Sequence, residues 1–287
     1  MQKISFVTDS TANLTQSQAE EYDIKVVPLS VIFGSEAYRE GTEISAEEFY
    51  QRLPKEKQLP TTSQPPVGEF AKVFEELLET SDHVVCLMLS SKLSGTYQSA
   101  KTAAEMVSGN RITVVDSGIA SYGIAGPLMD GVKLARSGGT VEEIVAMWEE
   151  ELAGQRAFFV VDTLEYLHKG GRIGGAAAVF GALLQIKPIL TVIDGRIDLF
   201  EKVRTHRRAM ERVRQLLHND AASGDPINLC VVHSGRLDEA KTFRSEITEK
   251  YPNVKTEISE LGPVIGTHTG PGLIAIVYYP DRLINRQ

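Results

Sequence analysis

Val84-Val85-Cys86-Leu87-Met88-Leu89 runs directly into Ser90-Ser91-Lys92-Leu93-Ser94-Gly95-Thr96-Tyr97-Gln98-Ser99-Ala100. The first six residues read as a buried strand, so the hydroxyl-rich run stands where a strand ends and a helix begins. Open α/β sheets bind ligands at that place. Ser94 can cap the following helix, Gly95 lets the backbone approach a ligand closely, and the unpaired amides of a helix start favour an anionic oxygen. Taken alone, the segment leaves two readings open: capture of a small anion, and plain helix capping by Ser94.

Outward from this run, apolar β-branched stretches at 4–8, 25–33, 112–116 and 157–161 alternate with amphipathic helix patterns, which predicts an α/β layer fold. Ser45 followed by Glu48 forms a capping box, and Pro65-Pro66 precedes a helix through Phe70, Phe74 and Leu77, leaving Thr62 and Ser63 in a loop that enters it. Val7-Thr8-Asp9-Ser10 and Val114-Val115-Asp116-Ser117 both close a strand with Asp-Ser. Both aspartates could face one crevice, or simply cap and form turns. After residue 154 the pattern changes. The small apolar segment 176–186 leads to a hairpin over Asp194-Gly195, then helices at 205–218 and 237–250 alternate with strands at 227–233, 255–259 and 273–278. Two domains are expected at this length, 1–160 with a parallel sheet and 161–287 with a mixed sheet.

Composition narrows the function classes. The 287 residues carry a net charge of −8, with a sequence pI near 5.4, which argues against a general nucleic-acid binder, since neutralising phosphates needs a basic surface. No apolar stretch approaches membrane-spanning length, so no stable membrane insertion is expected. The stretch Met1 to Ser10 lacks the long apolar segment of a secretory signal, and a cytoplasmic location is expected. Cys86 and Cys230 lie in separate strand patterns without C-x-x-C spacing, so neither a disulfide nor a metal site is expected. Phosphate-loop, dinucleotide, H-E-x-x-H and G-x-S-x-G motifs are absent from the sequence.

Three further segments carry chemistry. They are Thr61-Thr62-Ser63-Gln64-Pro65-Pro66, Tyr166-Leu167-His168-Lys169-Gly170-Gly171-Arg172-Ile173-Gly174, and Gly262-Pro263-Val264-Ile265-Gly266-Thr267-His268-Thr269-Gly270-Pro271-Gly272. Hydroxyls from Thr62 and Ser94, a ring nitrogen of His268 and helix-entry amides are donors enough for the two oxygens of a carboxylate. His268 can equally be a turn residue of a Gly/Pro loop. The same residues permit a serine esterase or thioesterase built from Ser94, His268 and Asp9 or Asp116, because such constellations are defined by geometry rather than by order.

With the serine run, and in this order along almost the whole chain, these motifs resemble the DegV family of fatty-acid-binding proteins. Pro66 departs from the family pattern, which often has a small hydroxyl residue there. The resemblance implies a two-domain DegV-like α/β fold with the ligand between the domains, no cofactor and no catalytic residue. It implies that Thr62, Ser94 and His268 contact the carboxylate of a long-chain fatty acid. It also implies a partner, a dihydroxyacetone-kinase-like fatty acid kinase that phosphorylates the bound acid for phospholipid synthesis, with Arg172 and Arg204 facing it. Ser63, Gly95 and Thr267 flank these positions as additional contacts. The segment 176–184, apolar nearly all round, is expected as a helix that is buried or lines the tail's tunnel, with Phe180 or Leu184 setting its length.

Overall fold

The computed structural model describes residues 2–182 and 186–286. The expected strand–helix alternation is present. In chain order the elements are β1 (Ile4–Asp9), α1 (Gln16–Tyr22), β2 (Ile24–Val27), β3 (Ser30–Phe33), β4 (Glu36–Arg39), α2 (Ala46–Arg52), β5 (Thr61–Ser63), α3 (Val67–Leu78), β6 (His83–Met88), α4 (Thr96–Ser108) and β7 (Ile112–Asp116). There follow α5 (Tyr122–Arg136), α6 (Val141–Gly154), β8 (Arg156–Val160), α7 (Glu165–Lys169), β9 (Lys187–Ile193), β10 (Arg196–Val203), α8 (His206–Ala221), β11 (Ile227–His233), α9 (Leu237–Lys250), β12 (Val254–Glu260), α10 (Pro263–Thr269) and β13 (Ile274–Pro280).

Three sheets result. The first is parallel, in the order β2-β1-β6-β7, and the second is mixed, in the order β10-β9-β8-β13-β11-β12, with β11 and β12 its parallel pair. A small antiparallel sheet, β4-β3-β5, sits beside them. The two large sheets are covered on both faces, which is why β6 and β11 read as continuous apolar runs rather than alternations. Side-chain parity sorts their residues: Val7, Cys86 and Met88 pack with Phe70 and Phe74 of α3, whereas Phe6, Val85 and Leu87 turn the other way.

That other face is shared. Phe6, Val85 and Leu87 of the first sheet join Phe159, Cys230, Val277 and Tyr279 of the second in one core. Between them lies α5, touching β1 and β6 on one side and β11 and β13 on the other. It fits because Gly126 meets the Tyr279 ring and Gly131 the Trp148 indole, at distances that leave no room for a Cβ. Its internal Pro127 surrenders one helix hydrogen bond, and the Pro127 carbonyl accepts from Trp148 Nε1 at 2.6 Å. Helices α8 and α9 close the far face of the second sheet.

Several local expectations change. The run 25–33 is two strands in two sheets, interrupted at Pro28, which cannot donate to a ladder. Thr61–Ser63 is not loop but the short strand β5, pairing Val31 with Thr62. Gly174–Ala182 is 3₁₀ rather than α-helical: Ala176 and Val179, three apart, are buried, while Ala177 and Ala178 are exposed. The segment is therefore not the buried apolar cylinder that its composition suggested. Leu184 lies outside the described residues. Strand β8 pairs with β13 and β9, so the mixed sheet already begins at Arg156, ahead of the boundary expected at residue 160. No described helix is long and apolar enough to cross a membrane.

Candidate functional site

The loops leaving the C-terminal ends of β1, β6 and β7 converge, and the sequence reason lies in the final aspartates of β1 and β7. Asp9 accepts from the Thr11 amide at 3.0 Å and from the Leu89 amide at 2.8 Å. Asp116 accepts from the Ser91 and Gly118 amides at 3.1 and 3.0 Å. Each aspartate thus ties its own loop to the serine run.

These loops open onto a cavity between the two large sheets, enclosing about 900 Å³ of space with its open mouth counted. The first sheet's loops contribute Leu89, Leu93 and Ile119, and the second sheet contributes Ala157, Phe159, Val192, Ala275 and Val277. Polar side chains are few: Thr11, Thr62, Ser94, Ser121, Arg172, His268 and Thr269.

Three of them define a polar cluster. Thr62 Oγ1 and His268 Nε2 are 2.8 Å apart. Burial, assisted by the nearby Arg172 guanidinium, pushes the His268 imidazole down to about 4, so it is neutral at neutral pH. A neutral ring that donates from Nε2 to Thr62 leaves the threonine hydroxyl free to donate onward into the cavity. Nδ1 has no hydrogen-bond partner among the described residues. It lies against Gly170, where any Cβ would collide with the ring. Arg172 gives Nε to the Leu93 carbonyl at 3.1 Å and Nη1 to the Gly170 carbonyl at 2.6 Å. Three of its five N–H donors remain for other partners.

His268 is helical, not a loop residue. Pro263 opens α10 in the first turn, where its missing N–H matters least, and Gly266 lets the helix pass over Phe49 and Tyr50. The helical period then puts Val264, Ile265, His268 and Thr269 on the cavity side. Thr267 faces away and bonds the Pro263 carbonyl at 2.9 Å. The strand period of β5 likewise turns Thr62 inward, while Ser63 is exposed and bonds Gln64.

Ser94 reaches the cavity wall, but the cap position of α4 is Gly95, and Ser94 Oγ accepts only the Thr96 amide at 3.3 Å while pairing with the Thr96 hydroxyl at 2.9 Å. Gly95 is not on the wall. The group needing its missing side chain is Gln64, whose amide would collide with a Cβ there and which donates to Ser99 at 2.9 Å. Phe180 stacks on His168 with ring centroids 4.1 Å apart instead of lining the cavity. Arg172 belongs to the wall, whereas Arg204 is exposed in the turn between β10 and α8.

A hydrolase would need Ser94 bonded to an imidazole backed by a carboxylate. Here His268 Nε2 is bonded to Thr62, Nδ1 faces Gly170, and Asp9 and Asp116 are committed to backbone amides.

The profile described as "Uncharacterised protein, DegV family" matches residues 3–281. The chain belongs to the DegV family. It is 45% identical to a DegV domain-containing protein of Halalkalibacterium halodurans over 283 residues, 98% of this chain and 100% of that one. The crystal structure of DegV from Bacillus subtilis, described as a fatty acid binding protein, superposes with a TM-score of 0.91 at 39% identity, covering 98% of this chain and 100% of that one. A DegV family protein from Thermus thermophilus, described for its fatty acid binding, gives a TM-score of 0.92 at 38% identity, covering 97% and 99%.

In this DegV-family chain, reading the sequence missed Thr11, Ser121 and Thr269 on the wall and the place of Arg172. Pro263 as a helix-opening residue was the available signal for Thr269, through its helical spacing from Ile265. Nothing local marks Thr11 or Ser121, which the topology alone brings to the cavity.

Proposed function

We propose that this chain binds a long-chain fatty acid between its two large sheets, and that it presents the carboxylate to a separate, dihydroxyacetone-kinase-like fatty acid kinase without catalysing a reaction itself. The observation that carries the reading is the polar cluster of Thr62, His268 and Arg172, with Ser94 on the same wall, in a mostly apolar cavity. The descriptions of the Bacillus and Thermus proteins support the same ligand class.

The division of labour follows from magnitudes. Burying ten methylenes is worth about 8 kcal/mol gross, several times a charge-assisted hydrogen bond of about 1.5–3 kcal/mol. The tail therefore holds the ligand and the head orients it. Thr62 and Ser94 donate hydroxyls, His268 fixes the Thr62 hydroxyl, and the Arg172 guanidinium supplies the positive charge. Arg204, exposed and outside the cavity, is assigned to docking, where complementary charge chiefly sets encounter rate and orientation.

Native mass spectrometry and organic extraction of protein purified from cells test the ligand, with a long-chain fatty acid as the expected adduct. Thr62→Val and Ser94→Ala are each expected to weaken oleate binding about tenfold, the effect of about 1.4 kcal/mol. Arg204→Glu is expected to slow phosphorylation by the kinase while oleate still binds. No extractable lipid together with no saturable binding of oleate or palmitate would overturn the carrier reading. Hydrolysis of acyl esters by the isolated protein, lost in His268→Ala, would replace it with the hydrolase.

A further inference from the structure

Helix α10 brings His268 to the cavity, yet its own sequence gives its start no cap. The cap position is Gly262, which has no side chain to offer, and Pro263 carries no N–H, so the first amide in need of a partner is that of Val264. It donates to Glu40 Oε1 at 2.8 Å, from a residue 224 positions away. A helix of seven residues has little stability of its own, so where α10 begins depends on such contacts. His268 lies one turn beyond Val264 on the same face.

At its other end Glu40 is tied to the small sheet. It follows β4, and its amide donates at 2.9 Å to the carbonyl of Leu29, a cavity-wall residue just ahead of β3. β3 in turn pairs with β5 through Val31 and Thr62. Glu40 therefore joins the two supports of the 2.8 Å contact between Thr62 Oγ1 and His268 Nε2, one by its main chain and the other by its side chain.

Two observations set this contact apart from an ordinary cap. Glu40 is only 5% exposed, and its Oε2 has no hydrogen-bond partner among the described residues. Burying an acid with one oxygen left over costs stability that an apolar side chain of similar size would keep. Gly262, for its part, has an extended backbone, φ −69° and ψ 170°, that any residue adopts. What the glycine supplies is room, since a Cβ there would collide with Glu40 Oε1 and with the Asn13 amide. Burial raises the Glu40 carboxyl to about 7, and an oxygen remains to accept the Val264 amide whether or not the acid is ionised.

We infer that Glu40 is a positioning residue for the head-group cluster, its Oε1 holding the start of α10 against the small sheet so that His268 Nε2 meets Thr62. The inference takes its ligand from the fatty-acid reading, whereas the link from Glu40 to the His268 ring is independent of it.

Glu40→Leu removes the acceptor and Glu40→Gln keeps it. Long-range proton–nitrogen spectra of the delipidated full chain, with the His268 signals assigned by their loss in His268→Gln, report the tautomer of the ring. The parent is expected to show one fixed tautomer, Glu40→Leu a mixture of both, and Glu40→Gln the pattern of the parent. Oleate is expected to bind Glu40→Leu about tenfold more weakly than the parent, and Glu40→Gln within about twofold of it. 1-Octadecene, which has a tail and no carboxylate, should bind all of them alike. If Glu40→Leu does not fold, Gly262→Ala decides in its place, because it displaces the same oxygen from Val264 without straining the backbone. A parent that binds no oleate would overturn the fatty-acid reading, and the spectra would still decide the link to His268. Unchanged His268 signals in the folded variant, equal weakening of oleate and 1-octadecene, or a Glu40→Gln as impaired as Glu40→Leu would overturn the role of Glu40.

Discussion

His268 shows how much of the head-group cluster depends on one neutral ring. Its imidazole ordinarily titrates at 6.5, and burial with the Arg172 charge lowers it to about 4 in the folded chain. Between those values the unfolded chain binds a proton that the folded chain refuses, so stability is lost as pH falls from 6.5 toward 4. The full contribution is of order 3 kcal/mol. In His268→Gln, which keeps a polar group near Thr62, the fall in urea-unfolding free energy between pH 6.5 and 4.5 should be shallower than in the parent by about 2 kcal/mol. Identical slopes would mean that the ring is not desolvated. Residue chemistry alone left Ser94 open as a helix cap and His268 as a turn residue, and it was the resemblance carried by the motifs together that singled out Thr62, Ser94 and His268, which the structure places on one cavity wall. Their neighbours Ser63 and Thr267 looked equivalent. Only the element each sits on, a strand of period two and a helix of period 3.6, turns one inward and the other out.

At the level of elements, the site depends on how β5 meets the start of α4. Gln64 leaves β5, lies over Gly95 and donates to Ser99 on the first turn of α4. That contact links the strand carrying Thr62 to the segment carrying Ser94. A methyl at Gly95 would drive the Gln64 amide away, and because that side chain is flexible, the loss is chiefly its hydrogen bond, about 0.5–1.5 kcal/mol. Gly95 itself has an ordinary backbone, φ −77°, so alanine is acceptable there once Gln64 is gone. Gly95→Ala should therefore destabilise the parent but be neutral or stabilising, by about 0.4–1 kcal/mol, in a Gln64→Ala background. Chemical denaturation of the four proteins measures it, and additive effects would remove the contact. Elements of strong period were legible in the sequence: the helix at 237–250 and the strand at 227–233 agree with α9 and β11 residue for residue. Elements fixed by tertiary partners were not. β5 is three residues long and exists by pairing with β3, and the 3₁₀ segment from Gly174 follows glycine geometry that composition does not reveal.

Across the whole molecule, the two sheets are joined by a common core rather than a solvated crevice, and the acids in the helix layer between them set its pH behaviour. Asp130 of α5 is supplied with donors: Lys133 at 2.8 Å, Asn228 at 3.1 Å and Tyr279 at 2.8 Å. Glu151 of α6 is not. It is fully buried, and neither oxygen has a hydrogen-bond partner among the described residues. Burial, with the nearby Asp130 carboxylate, raises it to about 9, so the folded chain keeps Glu151 protonated where the unfolded chain ionises it. The sign is opposite to that of His268: the folded state binds the extra proton from 4.5 upward, and stability declines as pH rises from there toward 9. Replacing the acid by an apolar side chain of similar length removes that decline together with the unsatisfied oxygens. Glu151→Met is expected to stabilise the protein by about 1–4 kcal/mol at pH 8, and by much less at pH 5, where both states hold the proton more nearly equally. Chemical unfolding at the two pH values decides it. A gain that is absent at pH 8, or equal at both, would show that Glu151 is hydrated in the folded chain and that the layer between the sheets is open to water.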